Sequence, residues 1–460
     1  MVTVKDSKEA IVKRDRPSRL KLYLSVFAVY VLHITTGCVL SFPSPVIPKL
    51  NLTKDEQSLI SSLYSLGATP GPLVLAFGLD TIGRKGTLYV VWLLYMSSWV
   101  MLWASENLII VYIGRLIAGL GFAGAFAGIS VYIAEIADNE TRGPLNSVAQ
   151  VFLAIGFLVE YCVGPYVSYQ ILVFISFCVT ASFGIIFFFA PESPYFLIAK
   201  GRKTEAFKVL KTLRGNLTDE SINAEIKAIE DKFSRENESG TGLKKLLSAP
   251  VLKAMAVSLF LIMLQQGSGI NAVLAYVQPI FQKANLSLDD TIVPMLVGAT
   301  NLISSLPVPL LVGKFGVKIV LVTCGVAMGI CLNMLGLYFF LLYGDYNVTS
   351  IEFLPVASVI LFNVFFCIGS GSLTWVVIAD VFPSSVKGTA TAICSSFSAL
   401  FGFGVIEAFI LLLNSWGFEN TFVLFGCILV VGSLVQIIFV PNTSKMTFQD
   451  IEKYFDRKAS

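Results

Sequence analysis

Charge is what this chain has least of. Only 14% of its 460 residues are Asp, Glu, Lys or Arg and 55% are hydrophobic, whereas roughly a quarter of an average soluble domain is charged. That balance excludes an ordinary soluble globular class. Histidine is nearly absent, and His33, with no acid beside it, reads as a packed or interfacial residue rather than a proton carrier. No pair of the eight cysteines has metal-ligand spacing or a loop partner, so they read as small core residues and no metal is expected. The chain has no Gly-rich phosphate loop of the Walker type, no HExxH, no CxxC and no GxSxG. An enzyme reading therefore lacks its reacting groups, and neither a catalytic residue nor a cofactor is expected.

Long apolar runs fill the space that charge leaves. Twelve stretches approach the roughly 20 residues needed to cross a hydrocarbon core of about 30 Å, near 20–42, 57–78, 86–104, 107–133, 145–168, 170–190, 251–277, 291–313, 317–343, 352–379, 388–413 and 418–440. In lipid each backbone polar group must be satisfied within its own segment, so these runs are expected to be α-helices. The fold class expected is an all-α polytopic membrane protein with twelve transmembrane helices in two six-helix halves. Its divisions are a tail at 1–19, a first half at 20–190, a linker at 191–250, a second half at 251–440 and a tail at 441–460. The linker alternates charge and shows an apolar period near 3.6 in Thr204 to Leu213 and Ile222 to Phe233, which predicts short amphipathic helices. Nothing after the first span resembles a small-residue cleavage site, so that span reads as a retained helix.

Basic residues set the expected orientation, because cytoplasmic loops carry the excess of Lys and Arg. Alternate connections collect Arg14, Arg16, Arg19, Lys21, Arg84, Lys85, Arg142, Lys314, Lys318 and Lys387, and the opposite side has only Lys49, Lys54 and Lys283. Both termini are thus expected in the cytoplasm, with the protein in the plasma membrane. The net charge of +3 follows from this topology and does not point to nucleic acid. On the outer side Asn51, Asn285 and Asn347 each begin an Asn-x-Ser/Thr sequon and are candidate glycosylation sites.

A repeat ties the halves together. Tyr132-Ile-Ala-Glu135 followed by Arg142-Gly143 has a counterpart in Val377-Ile-Ala-Asp380 followed by Lys387-Gly388. Each is an apolar run ending in a carboxylate with a base and glycine seven positions on, as duplication of a membrane half would leave it. Acids at helix ends and bases at the starts of the next helices (Asp80, Arg84, Glu135, Arg142, Asp380 and Lys387) are candidates for a gate on the terminus-bearing side. The alternative is that positive-inside bases merely attract neighbouring acids. The second copy of the Asp80 loop, Gly313-Lys314-Phe-Gly316-Val317-Lys318, lacks the acid and should latch more weakly.

Further words carry a resemblance. Asp80-Thr-Ile-Gly83-Arg84-Lys85 resembles the signature of the major facilitator superfamily. Gly114-Arg115 with Gly119 and Gly121, Pro191-Glu192-Ser193-Pro194 and Gln265-Gln266-Gly267-Ser268-Gly269-Ile270-Asn271 resemble its sugar porter family. Within it the chain is most similar to facilitated trehalose and facilitative hexose carriers. The resemblance implies a sugar substrate worked by alternating access, with membrane lipid around it and no obligate protein partner. It implies binding residues at Gln150, Gln265, Gln266, Asn271 and Asn301, with Trp375 stacking on the sugar. The chemistry agrees, since an amide offers the donor and the acceptor that a hydroxyl needs and strands no charge. Each amide has a plainer alternative as interhelical glue, and Trp375 as simple packing. Gly267 and Gly269 predict a local break in the seventh helix.

There are also departures from the family pattern. Cys367 stands where many sugar porters carry Glu, Ser398, Ala399 and Gly402 replace Asn-Trp-x-x-Asn, and Ser370, Ser372 and Thr374 replace P-x-P-x-P. These changes predict a roomier, less polar second-half pocket. Where the family's proton-driven members carry an acid in the first span this chain has Pro43, leaving Arg115 without that partner, which favours facilitated diffusion over proton symport. Glu160 and Glu407, expected near the outer ends or the bundle surface, are weaker coupling candidates. A transport-inactive sensor on the same fold is a further reading.

Overall fold

The structure, a computed structural model, describes residues 19–440 except 51, 106, 139–140, 216–217, 239–245, 285–291, 305–306 and 384–385. Among the described residues every regular element is helical. The first half comprises Leu20–Ser41, the bent pair Lys54–Ala68 and Gly71–Thr81, Gly83–Ala104, Leu108–Ile136, Arg142–Val163 and Tyr169–Phe187. The second comprises the interrupted seventh span Ala249–Gly267, Ile270–Ala275 and Val277–Lys283, then Ile292–Ser304 with Val308–Phe315, Val317–Tyr343, Phe353–Ile368 with Ser370–Val381, and Lys387–Phe439.

Nine described stretches are long and apolar enough to cross a membrane outright, and the second span, bent by 41° where Pro70 and Pro72 interrupt it, makes ten. Lys387–Phe439 is two spans, since Gly417 at φ 84° takes a left-handed turn that helical residues do not make. The eighth span, in two short pieces, completes the expected twelve. Polar caps set several starts. Thr53 and Glu56 form a reciprocal capping box at the second span, while Asn107 and Ser168 accept backbone N–H bonds at the fourth and sixth.

One apolar core is built only from residues up to Leu213, including Val29, Tyr95, Trp99, Ile129 and Phe183. A second, of Phe339, Phe409, Phe422 and neighbours, also takes in Ile47, Tyr64, Phe157 and Tyr161 from the first half. Within the first half the helices cross on small residues. A Cβ on Gly156 would lie 2.1 Å from the Ile34 carbonyl oxygen, and one on Gly37 2.2 Å from that of Leu153. Only glycine lets the first and fifth backbones meet this closely. Between the halves, the second span runs along the eleventh and the fifth packs on the eighth.

The described part of the linker includes the helices Pro194–Ala199, Lys203–Arg214 and Asp219–Glu238. Their apolar stripe closes into its own core of Leu197, Ile198, Ala206, Leu210, Ile222, Ile226 and Ile229. Arg214 anchors it, donating to the Ile136 carbonyl at 2.6 Å and pairing with Glu225 at 2.7 Å. The side of the bundle bearing these helices is called here the linker face, and its opposite the far face.

The cysteines do not all pack inside. Cys38, Cys324, Cys331 and Cys394 are buried, but Cys162, Cys178 and Cys427 are exposed on helices, as are large apolar residues such as Leu310 and Phe77. An apolar outer surface is what a lipid environment allows, and burial is not the only way to keep a thiol from water. Asn347 is exposed, at a far-face turn. Asn51, Asn285 and the tails lie outside the described residues.

Candidate functional site

The seventh span breaks where glycine permits it. Gly269 sits at φ 73°, in the left-handed region, and the helix restarts at Ile270. Around the break the amides converge. Gln266 donates from Nε2 to Ser398 Oγ at 2.7 Å and accepts at Oε1 from Asn271 Nδ2 at 2.7 Å. Gly402 lies against this amide, where a Cβ would stand 3.3 Å from Gln266 Oε1. Gln265 turns the other way, donating to the Ser370 carbonyl at 2.8 Å and tying the seventh span to the tenth, with its buried Oε1 unpartnered. Asn301 accepts from the Cys367 thiol at 2.9 Å. Trp375 is half-buried against the core of the second half, and Gln150 is exposed on the fifth span.

The departures from the family pattern thus fall on the site itself. Ser398 and Cys367, small groups at two of these positions, each supply a hydrogen-bond partner to an amide. Gly402 does leave room beside Gln266. Sequence spacing alone did not reveal these pairings, because they join residues 132 and 66 positions apart.

In the first half Arg115 is buried and donates to the carbonyls of Ile60 at 2.9 Å and Val39 at 2.7 Å. Its guanidinium lies over the rings of Tyr64 and Phe42 at 5.2 and 5.7 Å. Among the described residues it has no ion pair. Glu160 is fully buried, not at the bundle surface, and accepts from Ser176 Oγ at 2.6 Å while Oε2 has no partner. The polar residues of the sixth span draw it inward. His33 is buried too, edge-on to Phe126.

On the linker face the charged words assemble within one half. Arg84 pairs with Glu135 at 2.7 Å, both largely shielded, whereas Asp80 stands 4.0 Å away with its side chain 82% exposed. Glu192 occupies the start of the third span, accepting from the backbone N–H groups of Arg84 and Lys85 at 3.1 Å. Here the unpaired amides of a helix N-terminus receive an anion. Gly83, at φ 87°, makes the space, since a Cβ there would stand 2.5 Å from the Glu192 carboxylate. Burial pushes the Glu192 carboxyl above its ordinary range, against the pull of these N–H bonds. Ser193 donates to Glu135, and Tyr132 donates to the Pro191 carbonyl at 2.6 Å. The Pro191-Glu192-Ser193 word is therefore a clasp that joins the linker to the third and fourth spans. Arg142 has a buried Nε with no partner, and neither Asp380 nor Lys387 forms an ion pair among the described residues.

Hydrogen bonds between the halves lie elsewhere. Among the described residues they run from Ser58 and Ser62 to Glu407, from Ser65 to the Ala399 carbonyl, from Tyr161 to the Leu274 carbonyl and from the Gln278 N–H to Ser44. All are at mid-depth or toward the far face. On the linker face the pairs of Arg19 with Asp138 and of Arg84 with Glu135 and Asp80 lie within the first half.

Two bundles meeting on the far face, with an amide cluster at a broken helix between them, make an all-α polytopic membrane protein of the major facilitator fold. The chain belongs to the sugar (and other) transporter family, which matches residues 23–455; it is a transporter and not an enzyme. It is 31% identical over 437 residues to a Bombyx mori protein named facilitated trehalose transporter Tret1, covering 93% of this chain and 86% of the relative. A Culex quinquefasciatus protein of the same name is 29% identical, with 91% and 81% covered. The Anopheles gambiae one is also 29% identical over 91% of this chain, which spans about half of that relative's length. Among solved structures, the inward-open xylose transporter XylE of E. coli superposes with a TM-score of 0.80 at 21% identity, over 94% of this chain and 99% of that one. XylE bound to 6-bromo-6-deoxy-D-glucose, described as a proton:xylose symporter, gives 0.72 at the same identity and coverage. These likenesses establish the shared fold.

Proposed function

We propose that the protein carries a neutral sugar, trehalose or a hexose, across the plasma membrane by facilitated diffusion with alternating access. The observation that carries this reading is Gln266 at the helix break. An amide has two N–H donors and two acceptor lone pairs, and Ser398 and Asn271 use one of each. One donor and one acceptor remain, which is what a sugar hydroxyl requires. Gln150, Gln265, Asn271 and Asn301 add amide groups for further hydroxyls, and Trp375 supplies a flat apolar face for the ring. The relatives' printed name, facilitated trehalose transporter, supports the same class.

The uncoupled mode follows from Arg115, whose described partners are carbonyls rather than an acid. Proton symport is the second reading, and buried Glu160 is the observation in its favour. A protonophore separates the two, since symport responds to it and facilitated diffusion does not. In this orientation the linker face and both termini are cytoplasmic, lipid surrounds the bundle, and Asn347, exposed on the outer side, is the described glycosylation candidate beside Asn51 and Asn285. Asp80, Arg84, Glu135 and Arg142, with Asp380 and Lys387, close the cytoplasmic face in the opposite state. That the described linker-face pairs Arg19–Asp138 and Arg84–Glu135 stay within one half fits a state open toward the linker. Uptake of a labelled sugar panel by liposomes holding the pure protein tests the whole reading.

A further inference from the structure

The two halves are clasped on the far face by a carboxylate that the sequence offered only as a weak coupling candidate. Glu407, half-buried on the eleventh span, accepts from Ser58 Oγ at 2.8 Å and from Ser62 Oγ. The serines are four residues apart, so they lie one turn above the other on the same face of the second span. Ser65, almost another turn along, extends the stripe and donates to the Ala399 carbonyl at 2.9 Å. All three serines are buried, Ser58 at 3%, Ser62 at 0% and Ser65 at 5% exposure. No described base pairs with Glu407. Its charge is held by two hydroxyls that belong to the other half of the molecule. Ile47 and Tyr64 of the first half share one buried apolar cluster with Tyr276 and Ile406 of the second, so the seam that Glu407 bridges is also packed across the halves.

We propose that Glu407 is the gate residue of the far face, holding it shut through Ser58 and Ser62. The argument is thermodynamic. The second and eleventh spans must part for the far face to open, so these bonds exist in one state only. A contact present in one state and absent from the other biases the equilibrium between them by its net free energy. Hydrogen bonds to an ionised group are stronger than neutral ones and are well suited to that task. The same arrangement closes the seam at Glu407 with no described base beside it. A carboxylate set between hydroxyls is released to water when the halves part, and leaves no buried cation behind. This proposal rests on the alternating-access reading but not on which solute is carried.

The test reads opening directly. Ile47, 4% exposed in the apolar cluster shared by the two halves, is replaced by cysteine on a background from which the eight native cysteines have been removed. The full-length protein, in nanodiscs that leave both faces accessible, is labelled with a hydrophilic maleimide. Glu407→Ala should raise the labelling rate by about 10-fold or more, and Ser58→Ala with Ser62→Ala should do the same, because either removes both charge-assisted bonds. Combining all three should add little, since the contact is already lost. Glu407→Gln, which keeps an acceptor and the shape, should raise labelling by only about 3-fold, and its melting temperature, close to that of the parent, guards against a folding artefact. Unchanged labelling in the Glu407→Ala and double-serine variants overturns the latch, whatever the protein transports. Increases that multiply in the triple variant overturn it too, since they would mean independent effects. Raised and non-additive labelling in a protein that moves no sugar would support the latch and refute the substrate reading instead.

Discussion

Replacing Gln266 with alanine separates a sugar-binding amide from a helix-to-helix bond. In the structure its side chain makes two bonds of 2.7 Å, to Ser398 and from Asn271, leaving one N–H and one lone pair for a ligand. Removing it strands a sugar hydroxyl inside the closed site, at about 1–3 kcal/mol. Since about 1.4 kcal/mol is a factor of ten in an equilibrium constant, apparent affinity should fall roughly 5- to 150-fold. The internal cost is smaller. Ser398 and Asn271 lose a partner, but Asn271 is only half-buried and water can reach the vacated space. Ser398→Ala is the matched control. It deletes the internal partner and frees a donor on Gln266, so affinity should change by less than about 3-fold. Initial rates of uptake against sugar concentration give the affinity, and thermal unfolding of the same preparations gives the stability. Unchanged affinity together with a clear loss of melting temperature in Gln266→Ala would refute the assignment and make the amide structural.

Three further outcomes follow from the packing and the charges. Gly156→Ala should cost about 3 kcal/mol or more, because its Cβ would meet the Ile34 carbonyl oxygen at 2.1 Å and force the first and fifth spans apart; yield of monodisperse protein is the readout, and a well-behaved Gly156→Ala protein would refute the close crossing. Neutralising Arg142 or Lys387, neither of which is paired in this state, should leave it intact and destabilise the opposite one. Labelling of a linker-face vestibule cysteine should then rise in the order parent, Lys387→Ala, Arg142→Ala, and equal labelling would reduce these charges to orientation signals. Asp138 has its carboxyl held below the ordinary range: burial pushes it upward, but the Thr141 hydrogen bonds and the nearby Arg19 and Arg214 outweigh that. Its stabilising contribution is therefore present above the usual carboxylate pKa and lost as pH falls through the lowered one, so Asp138→Asn should flatten the acid limb of the stability profile; an unchanged limb would exclude the contribution.

What the sequence disclosed and what it hid have different physical origins. The spans, the linker stripe closing on Leu210 and Ile226, and the break at Gly267 to Gly269 are local properties, written in composition, periodicity and backbone permissiveness. The amides were found through resemblance, and their chemistry agreed. Partners were harder. Glu192 on the amides of Arg84 and Lys85 joins positions 108 and 107 apart, and Ser58 reaches Glu407 across 349 residues. No period announces such contacts. Glu160 lies near the far end of its span as expected, but it faces inward and not the bundle surface, bonded to Ser176 of the sixth span. Glu135 likewise accepts from Arg84 and Ser193, 51 and 58 positions away.

The most direct test of the account is sugar flux through the purified protein in sealed liposomes. Labelled trehalose and glucose are offered outside, and their internal concentration is followed with and without an imposed pH gradient and a protonophore. The account predicts saturable entry of at least one of the two sugars, internal concentration rising to the external value and stopping there, and rates that neither the gradient nor the protonophore alters. Accumulation above the external concentration under a pH gradient would contradict facilitated diffusion and point to Glu160. Entry no faster than in protein-free liposomes for both sugars would contradict the substrate assignment itself.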